Sequence, residues 1–146
     1  MEDESKYLIK FTGIDLVCKE LAERPPEMEP LPIFNFEIKV ENKVQASHNL
    51  VLTLVYITIT EAGKPAILAK LTSNCVFQIE NFKDVITLQE NGLFHIPNNL
   101  DAILRPVAIS TTRGILYSEF RGTYLHGAIM PIIFMDTLKQ LPAKEE

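Results

Sequence analysis

The alternation from Phe34 to Glu41 constrains this chain more than any other pattern in it. Phe34, Phe36, Ile38 and Val40 fall on one face, and Asn35, Glu37, Lys39 and Glu41 on the other. A period of two belongs to a strand, and the clean polarity of the faces predicts one dry side and one wet side. Leu50 to Thr60 follows, β-branched and apolar on both faces, with Val51, Val55, Ile57 and Ile59 against Leu52, Leu54 and Tyr56. That composition predicts a central strand, or one whose second face is covered. The turn Glu61-Ala62-Gly63-Lys64-Pro65 joins it as a hairpin to Ala66 to Ile79. There Ile67, Ala69, Leu71, Cys75, Phe77 and Ile79 share a face, opposite Lys70, Thr72, Asn74 and Gln78.

Upstream, Tyr7, Ile9 and Phe11 alternate until Gly13, where the phase shifts to Ile14, Leu16 and Cys18. A glycine at a phase change marks a β-bulge, so Lys6 to Leu21 is predicted as one bent strand. Residues 24–32, RPPEMEPLP, hold four of the nine prolines and form a loop, because proline cannot serve a central ladder. Short successive connections then imply an antiparallel meander of four strands. Residues 81–96 fit either a short helix or an irregular crossover carrying Phe82, Val85, Leu88, Leu93 and Phe94. From Asn98 or Asn99 the spacing Leu100, Ile103, Leu104, Val107, Thr111, Ile115 predicts a helix, with Pro106 kinking it or marking its first turn. Gly114 and the pair Arg121-Gly122 interrupt the helical pattern, Arg121-Gly122 ending it, and a short helix over Ile132–Leu141 is stopped by Pro142. The fold class predicted is α+β, one domain over residues 1–146, with the helices covering one face of the sheet.

Composition narrows the function. The apolar fraction of 47% provides for a core, and the net charge of −5 disfavours a nucleic-acid backbone as partner, since phosphate binding needs clustered Lys and Arg. No run approaches the ~20 apolar residues of a membrane span, and MEDESK is acidic where a signal peptide is basic, so a cytoplasmic location is expected. Cys18 and Cys75 have no CxxC spacing and fall on strand patterns, as small buried hydrophobes do. His48, His95 and His126 are scattered, and no phosphate loop, nucleophile elbow or HExxH motif occurs; neither a metal, a cofactor nor an enzyme activity is expected. Ser110, Thr111 and Thr112 before Arg113 are read as residues that cap, pack or bond back to the preceding turn rather than as an anion site. Arg113 and Arg121 are expected to pair with Glu119 or with a partner subunit.

The stretch Arg113 to Phe134, RGILYSEFRGTYLHGAIMPIIF, is rich in apolar and aromatic side chains yet carries no catalytic set. Tyr124, Leu125, Ile129 and Met130 either pack onto the sheet or line an apolar groove that accepts extended chains, for which Met and aromatics are suited. A scaffold or small-ligand protein, its groove closed by Phe94, Tyr124 and Phe134, is the alternative.

The order of four strands, crossover, long helix, Arg-Gly, loop, Pro and short helix resembles the SecB family of export chaperones. The likeness spans about residues 6–141 and is carried best by ILAKLTSNCVFQI (Ile67 to Ile79) and FRGTYLHGAIMPIIF (Phe120 to Phe134). It implies ATP-independent holding of unfolded or precursor polypeptides in a groove that includes Phe94, Tyr124, Leu125, Ile129, Met130, Phe134 and Leu138. It also implies a homotetramer built as a dimer of dimers, with Ile67, Ala69, Leu71 and Ser73 on the strand face that assembly depends on. The SecA motor would dock on an outer face including Asp15, Leu68 and Lys70. That family's docking face is acidic, and here Lys70 and Lys19 stand where acids are expected, which reverses the sign of a charge-steered contact. A relative dedicated to an antitoxin of a toxin–antitoxin pair fits those departures.

Overall fold

A computed structural model describes residues 7–133 and 143–146. Four long strands make one sheet: β1 (Ile9–Leu21), β2 (Phe34–Gln45), β3 (Leu50–Glu61) and β4 (Ile67–Ile79). Their spatial order is β1-β4-β3-β2, with the two-residue β7 (Lys144–Glu145) added in parallel beyond β2. The α+β class predicted from the sequence holds, and β2, β3 and β4 form the expected meander. β1 departs from it, pairing antiparallel with β4 at the far edge. The proline loop explains the departure: residues 22–33 are too long for a tight hairpin, and they can cross two intervening strands spaced ~4.8 Å apart. Met28 in that loop is buried, and the Glu61 carboxylate holds the loop by accepting the Glu29 N–H at 3.1 Å.

Gly13 does lie at a register break, between Phe11 and Gly13, and a second break follows between Leu16 and Cys18. A third falls in β4. Ala69 pairs with Ile59 and Ile67 with Thr60, so Leu68 is passed over. Leu68 turns inward to 1% exposure while Ile67 is left 47% exposed. The expected outer-face position of Leu68 is therefore corrected, because a bulge inverts the side-chain alternation that simple counting assumes.

Residues 81–96 resolve the ambiguity in the pattern by doing two things. Phe82–Val85 makes a single helical turn, α1, and β5 (Thr87–Leu88) pairs with β6 (Phe94–His95) as a small hairpin. α2 then runs unbroken from Asn98 to Glu119, through both Pro106 and Gly114. Gly114 does not interrupt it: a single exposed glycine costs only about 1 kcal/mol against alanine, less than the packing of the turns on either side. Pro106 lies inside the helix, so it does not mark its first turn. The helix ends before Arg121-Gly122 as expected, with Gly122 at φ +82°. Its fully buried side chains are Leu100, Leu104, Ala108, Ile109, Thr112 and Leu116, a stripe rotated from the predicted one, so that Val107 faces solvent. Ile132 and Ile133 are not helical, and the rest of the predicted last helix, to Leu141, lies outside the described residues.

A buried polar cluster sets that rotation. Asn42 on β2 donates to Asp101 at 2.7 Å, Thr53 on β3 donates to Asn42 at 2.8 Å, and Asp101 pairs with Arg105 at 3.1 Å. All four residues are buried, and the i,i+4 pair turns the 101–105 edge of α2 toward the sheet. Further along, Ser73 on β4 and Thr112 share a hydrogen bond of 2.6 Å, and Thr112 also donates back to Ala108 O at 2.7 Å. Thr112, of the hydroxyl run before Arg113, thus packs and bonds back to the preceding turn, as the sequence indicates.

Candidate functional site

The residues predicted to line a groove fall into two groups at opposite ends of α2, a helix about 33 Å long at 1.5 Å per residue. At its start, Phe94 is half-buried and meets Phe82 edge-on, ring centroids 6.3 Å apart. These rings, with Ala46, Ile86, Leu88 and the stem of Lys83, line a pocket of about 540 Å³. Its walls are almost wholly apolar because the crossover hairpin lies over the end of the sheet, leaving Leu88 64% exposed at the rim. Among the described residues, Lys83 and Thr87 are the polar ones that line it. It can bury hydrocarbon.

At the far end, Tyr124 donates its hydroxyl to Ala22 O at 2.7 Å, and burial raises its pKa above the ordinary phenol value. Ile129 is 61% exposed and Ile132 81%. Leu125 and Met130 depart from the groove expectation. Both are fully buried in the core, because the turn after Gly122 folds them under the end of α2. Arg113 fixes that turn, its guanidinium donating to Met130 O at 3.0 Å and Pro131 O at 2.9 Å. Glu119 pairs instead with Lys19, at 3.1 Å, so the expected Arg113–Glu119 pairing is corrected. Phe134 and Leu138 lie outside the described residues.

The predicted assembly residues are mostly committed inside the chain. Ala69, Leu71 and Ser73 belong to the core beneath α2, and of that set Ile67 is the exposed one. The sheet shows a larger apolar surface that the sequence reading missed. On β1, Phe11, Ile14, Leu16 and Leu21 pair with Phe77, Cys75, Ser73 and Ala69, so they share the face that α2 covers on β3 and β4. α2 meets β1 through the Glu119–Lys19 pair, yet these four side chains remain 39–53% exposed. The signal was in the sequence as an apolar alternation, but only the strand order reveals that β1 is an edge.

On the opposite face, Lys70 is exposed beside Glu20 in register, and Asp15 lies beside Asn74. Lys39, Glu37, Glu41 and Tyr56 join Lys70 around a shallow pocket of about 390 Å³, so the charge there is mixed rather than acidic. Cys18 sits at its margin, half-buried, while Cys75 lies fully buried, its thiol pushed up to about 11 by burial, partly offset by a hydrogen bond from Thr111. Among the described residues no three His, Cys, Asp or Glu side chains gather as a metal site, and no helix is long and apolar enough to cross a membrane.

No protein-family model matches the chain, and no curated protein sequence matches it. Among solved structures it is similar to the SecB-like chaperone Rv1957 of Mycobacterium tuberculosis, determined in complex with a ChAD peptide from the HigA1 antitoxin. The identity is 17%, the alignment covers 89% of this chain and 87% of that one, and the TM-score is 0.48.

Proposed function

We propose that this protein is a SecB-type holdase: a binding protein that keeps unfolded polypeptides from aggregating, without nucleotide, by taking extended apolar segments against its own apolar surface. The observation that supports this most is the apolar pocket at the crossover hairpin, formed by Phe82, Ile86, Leu88 and Phe94. Such a surface selects exposed apolar chain rather than a particular sequence. The exposed strip Phe11, Ile14, Leu16 and Leu21 on an edge strand supports self-association through β1, since a long apolar edge left bare is an aggregation hazard.

The test is suppression of aggregation of a chemically denatured client on dilution, at stoichiometric protein and without ATP. Leu88→Asp places a charge at the pocket rim where little packing is lost, and is expected to abolish protection while leaving the fold intact. A protein that never slows aggregation is not a holdase.

A second reading concerns the client. The mixed charge around Lys39 and Lys70 does not favour docking on a basic motor segment, which supports service to a dedicated client, such as an antitoxin, over general export. Crosslinking and mass spectrometry of co-purified chains distinguishes the two by whether one chain or many precursors are recovered.

A further inference from the structure

The segment Ala143–Glu146 occupies a slot that a bound chain would use. Its backbone is held from two sides. Ala143 and Phe94 exchange hydrogen bonds, Phe94 N–H to Ala143 O at 2.9 Å and Ala143 N–H to Phe94 O at 3.3 Å. On the other side, Lys144 and Glu145 pair in parallel with Lys43 and Val44, and Glu146 N–H donates to Val44 O at 2.9 Å. Four residues thus bridge the crossover hairpin to the open edge of β2.

The side chains contribute little to this contact. Only Ala143 is buried, while Lys144, Glu145 and Glu146 are exposed. Lys144 also stands beside Lys43 in register, and like charges on neighbouring strands are unfavourable. The segment therefore supplies the hydrogen bonds of strand addition and almost none of its apolar burial. Its displacement would forfeit little packing. An incoming chain would offer the same N–H and C=O groups, and apolar side chains for the pocket that Phe94 shares. Beyond Lys43, no other described strand pairs with the β2 edge from Phe34 to Asn42, so such a chain has room to lengthen the ladder.

We propose that Ala143–Glu146 is a built-in competitor that closes the slot between Phe94 and Val44 until an extended polypeptide displaces it. This rests on the holdase reading. The occupant it gives way to is a chain with alternating apolar side chains and free backbone amides; a proline at the paired positions would prevent its entry.

The experiment uses reduced and alkylated α-lactalbumin, permanently unfolded, as the probe. In the intact protein, amide hydrogen exchange is followed with and without saturating probe: the amides of Ala143 and Glu146 are expected to lose protection when the probe binds. Deleting residues 143–146 is expected to tighten probe binding roughly threefold or more, because the competent state no longer has to be freed first. A synthetic peptide of residues 141–146 added to the deletion variant should reverse the gain. If the probe binds and the Ala143 and Glu146 amides stay protected, or the deletion leaves the affinity unchanged, the competitor is refuted while the holdase reading stands. If the probe binds neither protein, both are overturned.

Discussion

Replacing Asp101 by alanine is expected to be among the most damaging single changes outside the apolar core. The carboxylate accepts from Asn42 at 2.7 Å on one oxygen and pairs with Arg105 at 3.1 Å on the other. Its residue is 6% exposed and Arg105 4%. Truncation removes the carboxylate that faces a buried guanidinium and strands the Asn42 amide, and breaking one partner of a buried ion pair costs about 3–5 kcal/mol. For a domain of this size that corresponds to a fall in Tm of roughly 10–20 °C. Asp101→Asn retains a carbonyl for Asn42 but sets an amide NH2 donor against the Arg105 guanidinium and leaves that charge uncompensated, so it should recover only the Asn42 bond, about 1 kcal/mol of the loss. Urea denaturation followed by far-UV circular dichroism measures both, at one fixed protein concentration because self-association would shift the midpoint. Combining Asp101→Ala with Arg105→Met should show a coupling of at least about 1.5 kcal/mol. An Asp101→Ala protein within about 1 kcal/mol of wild type would refute the view that this cluster fixes α2 on the sheet.

Thr112→Val removes a hydroxyl that both donates to Ala108 O and meets Ser73; it should cost about 1–3 kcal/mol by leaving the Ser73 hydroxyl unpaired in the core, whereas the double change to Ser73→Ala with Thr112→Val should recover part of that loss in the same denaturation assay. Lys19→Ala breaks a partly exposed pair with Glu119 and a contact of the ammonium with the Phe120 ring at 5.8 Å, and should lower stability by about 1 kcal/mol, an effect that shrinks in molar salt. The Cys75 thiol, raised by burial to about 11, stays protonated in the folded chain at a pH where the unfolded chain has lost that proton. A raised folded-state value means the contribution is whole below about pH 9 and lost as pH climbs from there toward 11, by roughly 2–3 kcal/mol. Stability against pH should therefore fall more steeply for wild type than for Cys75→Ala, and equal slopes would remove the argument.

Much of the sheet was legible because its signals are local. The alternation of Phe34 to Glu41, the β-branched run to Thr60 and the turn at Gly63 each specify their own strand and turn, and all three segments form where they were expected. Gly13 marked a true register break for the same reason. The candidate site was less legible. Leu125 and Met130 carry the composition of a groove lining, but whether an apolar side chain lines a surface or fills a core depends on what folds over it. The pocket at Phe82 and Phe94 needed the hairpin of residues 87–95, whose two-residue strands are too short to leave a period. The β7 contact left no pattern at all, since Ala143 to Glu146 bond through their backbone.

By itself the sequence determined the strands, the long helix after Asn98 and its end before Gly122, because side-chain period and capping act over a few neighbouring positions. Only the tertiary structure decided that β1 lies beside β4, that a bulge turns Leu68 in and Ile67 out, and that α2 presents Asp101 and Arg105 to Asn42. The first and last of these join partners 48 to 70 residues apart in the chain, brought together by burial and hydrogen bonding that no local pattern encodes.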